Sequence, residues 1–576
     1  MRAEIEKWRA LVEQGIRYRE KYGWSKRWHS YRNYARGIFP GYDSSSDGIL
    51  PYNLVYTMLR VLVPNVYFRN PFINITPRLR PNLEISAKVV ESLDNWLISE
   101  LDIKSTIKSA IHDCFFTNRG IIKVGYDSLF GFSKDFTLDL IGMGSVTYTQ
   151  LDKKGRRLEY NINVKPGMPW AVRVLPDYIV VPFGVKTLDE CPWIDHIIIR
   201  PLEDVKADPK YKYTRDLEGT HMELLYKDPQ RADFYRELSK EVDLVELHEI
   251  RDLREGRIKV FVPGYDKWLR DEEDILQIEG LPFVSFTFNE DSEYFWGASD
   301  VQIIEPQQLE MNEARTQAML HRRLALVKFL VQEGGMSTDE VDKMLKETVG
   351  PVAFVKGIPN QVVQMLQPHI PPDLVQWVEV IRSDVREIMG IGKMQAGEVV
   401  GGRKTATEAQ IVQLAHQLRM DERRDIVADA LVKVIRKINQ IIFDRWDDKR
   451  VAEVVGYDAA KYWVEFTKRD IVGEYNYRVD VESMTPITKA LKKREIVQII
   501  QAIGKHPRAN VDYLLRMLLR EFEWVDALKL LPPAQETQLQ PMPFGQFAQL
   551  QTRLLQNPEV LQERAKRNAE VIGGAL

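Results

Sequence analysis

Between residues 303 and 447 apolar positions recur at steps of three and four, and that spacing predicts long helices broken by short insertions. The first runs from Ile303 through Ala314, Leu320, Leu324, Val327 and Val331 to Gln332, where Gly334 and Gly335 stop it. Its ~30 residues would span roughly 45 Å. Ser337 and Glu340 then stand at capping-box spacing, each able to close an orphan amide at a new helix start. Gly350 and Pro351 end that short helix, and residues 352–355 read as a strand. After Pro371 and Pro372 a second helix carries a narrow apolar stripe of Leu374, Val378, Ile381, Val385 and Ile388, rimmed by charges of both signs. A stripe that narrow suits packing between neighbouring helices better than burial in a broad core. Residues 391–404 hold Gly392, Gly397, Gly401 and Gly402 and few apolar anchors, so they read as a mobile loop. Thr405 and Glu408 form a second capping box, opening a helix that reaches Trp446. At ~42 residues it would be about 63 Å long. Its stripe is interrupted at 419–425, almost all charge, which predicts either a kink or a turn exposed on all sides.

The flanking chain has a different rhythm. Ile5, Trp8, Val12 and Ile16 predict an amphipathic helix at the start. Residues 17–36 interleave basic side chains with Tyr18, Tyr22, Trp24, Trp28, Tyr31 and Tyr34. Such a stretch can stack on single-stranded nucleic acid or dock its aromatics on the body. The second reading fits the unbiased charge of the rest. Short helices are predicted at 54–63 and 85–97, and another from Ile103 with Asp102 as its cap. Short strands then dominate 121–288, with a hairpin signal at Leu253-Arg254-Glu255-Gly256. Strand character returns at 462–467 and 475–481, followed by helices at 486–503 and 511–521. From Pro532 onward Gln and Pro dominate, which reads as a partly flexible end. The fold class is α+β and helix-rich, with a long helical segment projecting from an α+β body.

With 576 residues, 44% hydrophobic and 28% charged, the chain can bury several cores. A net charge of −3 argues against a general nucleic-acid binder, though not against a protein that surrounds DNA without gripping it. Two cysteines, Cys114 and Cys191, point to a reducing compartment and to inert buried thiols. No apolar run approaches the ~18 residues of a membrane span, and the charged first residues read as the start of a cytoplasmic protein.

No catalytic constellation emerges. Gly401-Gly402-Arg403-Lys404-Thr405 ends like a phosphate-binding loop, but Glu398 stands where its first glycine belongs. The nine histidines show no ligand spacing, and no metal or cofactor is expected. His112-Asp113-Cys114 places three reactive types side by side, yet adjacent helix residues point in different directions.

The order of parts resembles the portal (head-to-tail connector) proteins of tailed bacteriophages. Residues 53–71, Trp296-Gly297-Ala298-Ser299-Asp300 and Lys404-Thr405-Ala406-Thr407-Glu408-Ala409 carry the local likeness, within a region of roughly 50 to 530. The resemblance implies a wing/stem/clip/crown architecture: an N-terminal segment at 1–50, wing at 51–302, stem helices at 303–332 and 373–390, and clip at 333–372. A tunnel loop would occupy 391–404, with a long helix and completion of the wing at 405–484, the crown at 485–545 and a polar tail at 546–576. It also implies a non-enzymatic ring, usually a dodecamer, at one capsid vertex. Such rings nucleate head assembly among major capsid and scaffolding proteins, conduct double-stranded DNA in packaging and ejection, and dock the terminase large subunit and later the head–tail adaptor or tail proteins. The protein would be a virion component assembled in the host cytoplasm. Lys393, Gln395, Arg403 and Lys404 would then touch DNA in passing. Twelve copies at −3 each carry about −36, mildly repulsive to DNA. A non-ring scaffold or adaptor, or a nucleic-acid-processing enzyme, are the alternatives.

Overall fold

The computed structural model describes residues 2–39, 51–67, 69–78, 83–126, 136–140, 146–151, 157–158, 168–208, 210–219, 243–276, 278–324, 328–331, 337–339, 342, 363–366, 373–391, 406–446, 449–455, 461–479, 496–501 and 541–556. These divide into two compact units, one of 1–29, 59–300 and 417–576, the other of 30–58 and 301–416.

The first unit is built on a five-stranded antiparallel sheet, in the order β11 (Arg270–Glu273), β10 (Arg257–Phe261), β9 (Leu244–Asp252), β8 (Trp193–Pro201), β7 (Ile179–Val180). The predicted hairpin is β9–β10, with Arg257 opposite Asp252. Period-two alternation sends Leu244 and Ile250 to one face and Val245 and Leu247 to the other, where each set joins a separate core. On the first face lies α1 (Arg2–Arg19), whose Ile5, Trp8, Val12 and Ile16 join Trp193, Phe261 and Trp268. Each side chain so buried contributes about 1.5–3 kcal/mol. Contact is close enough at Gly15 that an added Cβ would sit 2.5 Å from Val180 Cγ1 and 2.6 Å from the Val181 carbonyl oxygen.

The part of the basic–aromatic stretch up to Trp28 docks on the first unit's own body. Tyr294 packs edge-on against Tyr18 and Tyr22, and Trp28 lies 5.5 Å from Trp296. Arg19 donates to the carbonyls of Asp177 and Ile179.

Around this sheet, β2 (Gly120–Tyr126) pairs with β6 (Pro169–Val174) and β12 (Phe283–Phe286), while β1 (Ile73–Pro77) pairs with β17 (Tyr475–Val479). The helix after Asp102, α5 (Ile103–Thr117), begins as predicted, but Asp102 is left-handed at φ 47 and makes no side-chain capping bond.

Three further expectations change. The long helix α9 (Ala406–Arg445) runs unbroken through 419–425, where Met420 is buried and the Arg423 and Arg424 side chains are mostly covered. Anchored arginines, rather than an apolar stripe, hold that stretch. The Gln-rich end is partly built in: β18 (Met542–Pro543) lies parallel to β16 (Lys461–Phe466), and α11 (Phe544–Gln556) buries Phe547 against Tyr462. Composition concealed the helical spacing of Phe547, Leu550 and Leu554.

The third change falls in the second unit. There α7 (Asp300–Leu324) closes well short of Gln332, because Lys328–Val331 forms β13 and pairs antiparallel with β14 (Val363–Leu366). An apolar run from Leu324 to Val331, broken only by Lys328, satisfies either period, and the strand partner decides. The second predicted helix is α8 (Asp373–Met389).

Candidate functional site

Helix α7 buries a mixed face, in which Val301, Ile304, Met311 and Ala314 are covered alongside polar residues. Its inward positions Glu305, Gln308 and Asn312 are buried, whereas Ile303, Leu309 and Leu320 are exposed. The polar face is satisfied by the segment ahead of α3 (Leu54–Val66). Gln308 Oε1 accepts from the amides of Leu54 and Val55 at 2.8 and 3.1 Å, closing orphan donors at the start of α3. Gln308 Nε2 donates to the Tyr52 carbonyl, and Asn312 Oδ1 accepts from the Tyr52 amide. Glu305 accepts from Tyr34 at 2.9 Å and Tyr31 at 3.5 Å. Tyr52 is also held between two guanidinium groups, Arg315 at 5.2 Å and Arg382 at 4.9 Å from its ring, and Arg382 donates to its hydroxyl at 2.5 Å.

Helix α8 carries two apolar stripes rather than one. Ile381, Val385 and Met389, four apart, are buried. Trp377, Val380, Asp384 and Ile388, at steps of three, four and four, lie on an exposed stripe beside them. The Trp377 indole donates to Glu310 of α7 at 2.8 Å, which anchors a ring that stays exposed. Arg386 pairs with Glu379 at 2.7 Å along the helix.

The sequence-predicted stripe is therefore divided: Ile381 and Val385 buried, Val378 half-buried, Ile388 exposed. Leu374 lies in α8 and Glu408 in α9, but their side chains fall outside the described residues, as do Lys393, Gln395, Arg403, Lys404, Thr405 and Glu340 altogether. Ser337 is exposed. Tyr52, Glu310, Gln308 and Trp377 escaped sequence reasoning. The three-and-four spacing from Trp377 to Ile388 was the signal available for the exposed stripe.

Reactive groups elsewhere are locked away. Burial pushes the Cys191 thiol up to about 12 and raises Cys114 further. Asp113 is held by the Arg173 fork at 2.5 Å, and burial lowers the pKa of neighbouring His112. Under α1, His248 sits between Asp195 (2.7 Å) and Glu246 (3.0 Å), all fully buried. Burial works to lower its pKa, but the two carboxylates outweigh it and raise it to about 10. On the opposite face Lys123 pairs with Glu249 at 2.7 Å. Buried this deeply, both clusters support the sheet and offer nothing to a substrate. Among the described residues no group of three His, Cys, Asp or Glu is arranged to hold a metal, and no helix is long and apolar enough to cross a membrane.

What the arrangement offers is therefore a surface: two linked helices that leave large apolar side chains in water. A family model described as "Phage SU10 portal protein" matches residues 204–552, well over half of the chain. No curated protein matches it.

Proposed function

The chain belongs to the phage SU10 portal protein family, and from that membership we propose that its copies close into a ring, a dodecamer, at one vertex of the capsid. Double-stranded DNA enters along the axis during packaging and leaves by it at ejection. The ring nucleates head assembly among major capsid and scaffolding proteins. It then docks the terminase large subunit, and afterwards the head–tail adaptor or tail proteins. In this reading α7 and α8 form the stem, 333–372 the clip and 485–545 the crown. Residues 391–404 form the tunnel loop, whose Lys393, Gln395, Arg403 and Lys404 meet phosphates in passing.

The observation that carries the ring is the exposure of large apolar side chains on both helices. A monomer gains nothing by leaving Leu309, Leu320, Trp377, Val380 and Ile388 in water. A copy placed side by side covers them, and a repeated heterologous contact closes when its rotation divides the circle. Charges of both signs beside the stripe set the register between copies. The low net charge keeps the passage from retaining its cargo, since each neutralised phosphate adds salt-dependent affinity.

Electron microscopy of the purified chain, negatively stained, tests this reading. Closed rings of about twelve copies with an axial hole are expected, and isolated compact particles at every concentration would refute it. Replacing Lys393, Arg403 and Lys404 together by Ala is expected to leave rings intact and to alter DNA packaging or retention. Normal packaging would remove the loop from the DNA path.

A further inference from the structure

The segment Trp296-Gly297-Ala298-Ser299-Asp300 does more in the first unit than start α7. Gly297 has φ 58, and a Cβ there would lie 2.2 Å from Asn118 Nδ2, so only glycine fits. Asn118, itself left-handed at φ 62 and fully buried, accepts from the Asn289 amide at 3.1 Å and from the Thr287 hydroxyl at 2.9 Å. It also donates to the Asn289 carbonyl at 2.7 Å. Asn289 in turn donates to the Ala298 carbonyl and to Asp300 Oδ1, both at 3.1 Å. This bracket aims the Asp300 carboxylate at the fork of Arg423, whose two terminal nitrogens donate to it at 2.9 and 3.0 Å. The guanidinium lies 5.0 Å over the Phe288 ring.

Arg423 stands in the charged stretch of α9. Downstream, Val427, Leu431, Val434, Ile435, Ile438 and Ile442 are fully buried and hold the helix by packing. At 420–425 only Met420 is buried, and the remaining anchors are the Arg423 fork and the 2.7 Å bond from Arg424 Nε to the Asn65 carbonyl. A stretch held by a few polar contacts opens more readily than one held by a core.

We infer that Asp300 and Arg423 form a latch: while the fork is closed α9 is continuous through 419–425, and when it opens the helix comes apart there while its packed C-terminal half stays folded. The inference does not depend on ring formation.

Hydrogen exchange of the full-length chain, followed by peptide, tests it with Asp300→Asn, which keeps the shape and removes the charge. Amides at 417–425 are expected to exchange at least tenfold faster, with those at 434–442 unchanged. Unaltered exchange at 417–425, or equal acceleration across 434–442, would overturn the latch. Should that variant fail to fold, Arg423→Lys keeps the charge and loses the fork. At least threefold faster exchange confined to 417–425 is then expected, and an unchanged or uniform response refutes the idea.

Discussion

Two amphipathic helices of this chain meet opposite fates. In α1 every residue of the apolar stripe is covered by the sheet beneath it: Ile5, Trp8, Val12 and Ile16 are at most 5% exposed. In α8 one stripe is covered, but the one beside it leaves Trp377 at 53%, Val380 at 42% and Ile388 at 41%. Periodicity alone does not distinguish them, since it states which residues share a face and not whether that face finds a partner within the same chain. The covered face belongs to folding, and the uncovered one is the face we propose for assembly.

That contrast can be broken by mutation. Trp8→Ala should cost about 3–5 kcal/mol in urea unfolding, because it empties a site between α1, Trp193 and the Lys259 and Arg254 side chains over its ring. A loss under 1 kcal/mol would mean that α1 is not held by its stripe. Gly15→Ala should cost about 1–3 kcal/mol by forcing α1 away from Val181. A pH-dependent contribution under α1 comes from His248. Its folded pKa, raised to about 10, exceeds the ordinary ~6.5. The stability it confers is therefore complete below pH 6.5 and disappears as the pH rises through about 10. The melting temperature should fall over that window, and a variant with Asp195→Asn, Glu246→Gln and His248→Gln together should show a flatter profile. An equal slope in both would assign the dependence to other groups. Trp377→Ala should change the stability of the isolated chain least, within about 0.5 kcal/mol, as befits an exposed position.

Much of the fold was legible where local signals and tertiary contacts agree. The β9–β10 hairpin, α8 and the span of α9 follow from turn residues, Pro and Gly punctuation and apolar spacing. Legibility ended where a distant segment decides. Lys328–Val331 is apolar enough to extend α7, and only its pairing with Val363–Leu366 makes it a strand. The charge at 419–425 predicted a kink or an exposed turn because Asp300 lies over a hundred residues away in sequence. The burial of Glu305, Gln308 and Asn312 on α7 was hidden for the same reason, since Tyr34, Tyr52 and Leu54 supply their partners. The candidate surface was half legible, with Ile388 on the predicted stripe and Trp377 and Val380 off it.

Native mass measurement of the wild-type chain beside a Trp377→Ser, Val380→Ser, Ile388→Ser variant tests the assembly claim most directly. The wild type should appear as a closed multimer of about twelve copies, and the variant as a folded monomer with an unchanged melting temperature. A wild-type monomer, or a variant that still forms the same multimer, would contradict the account.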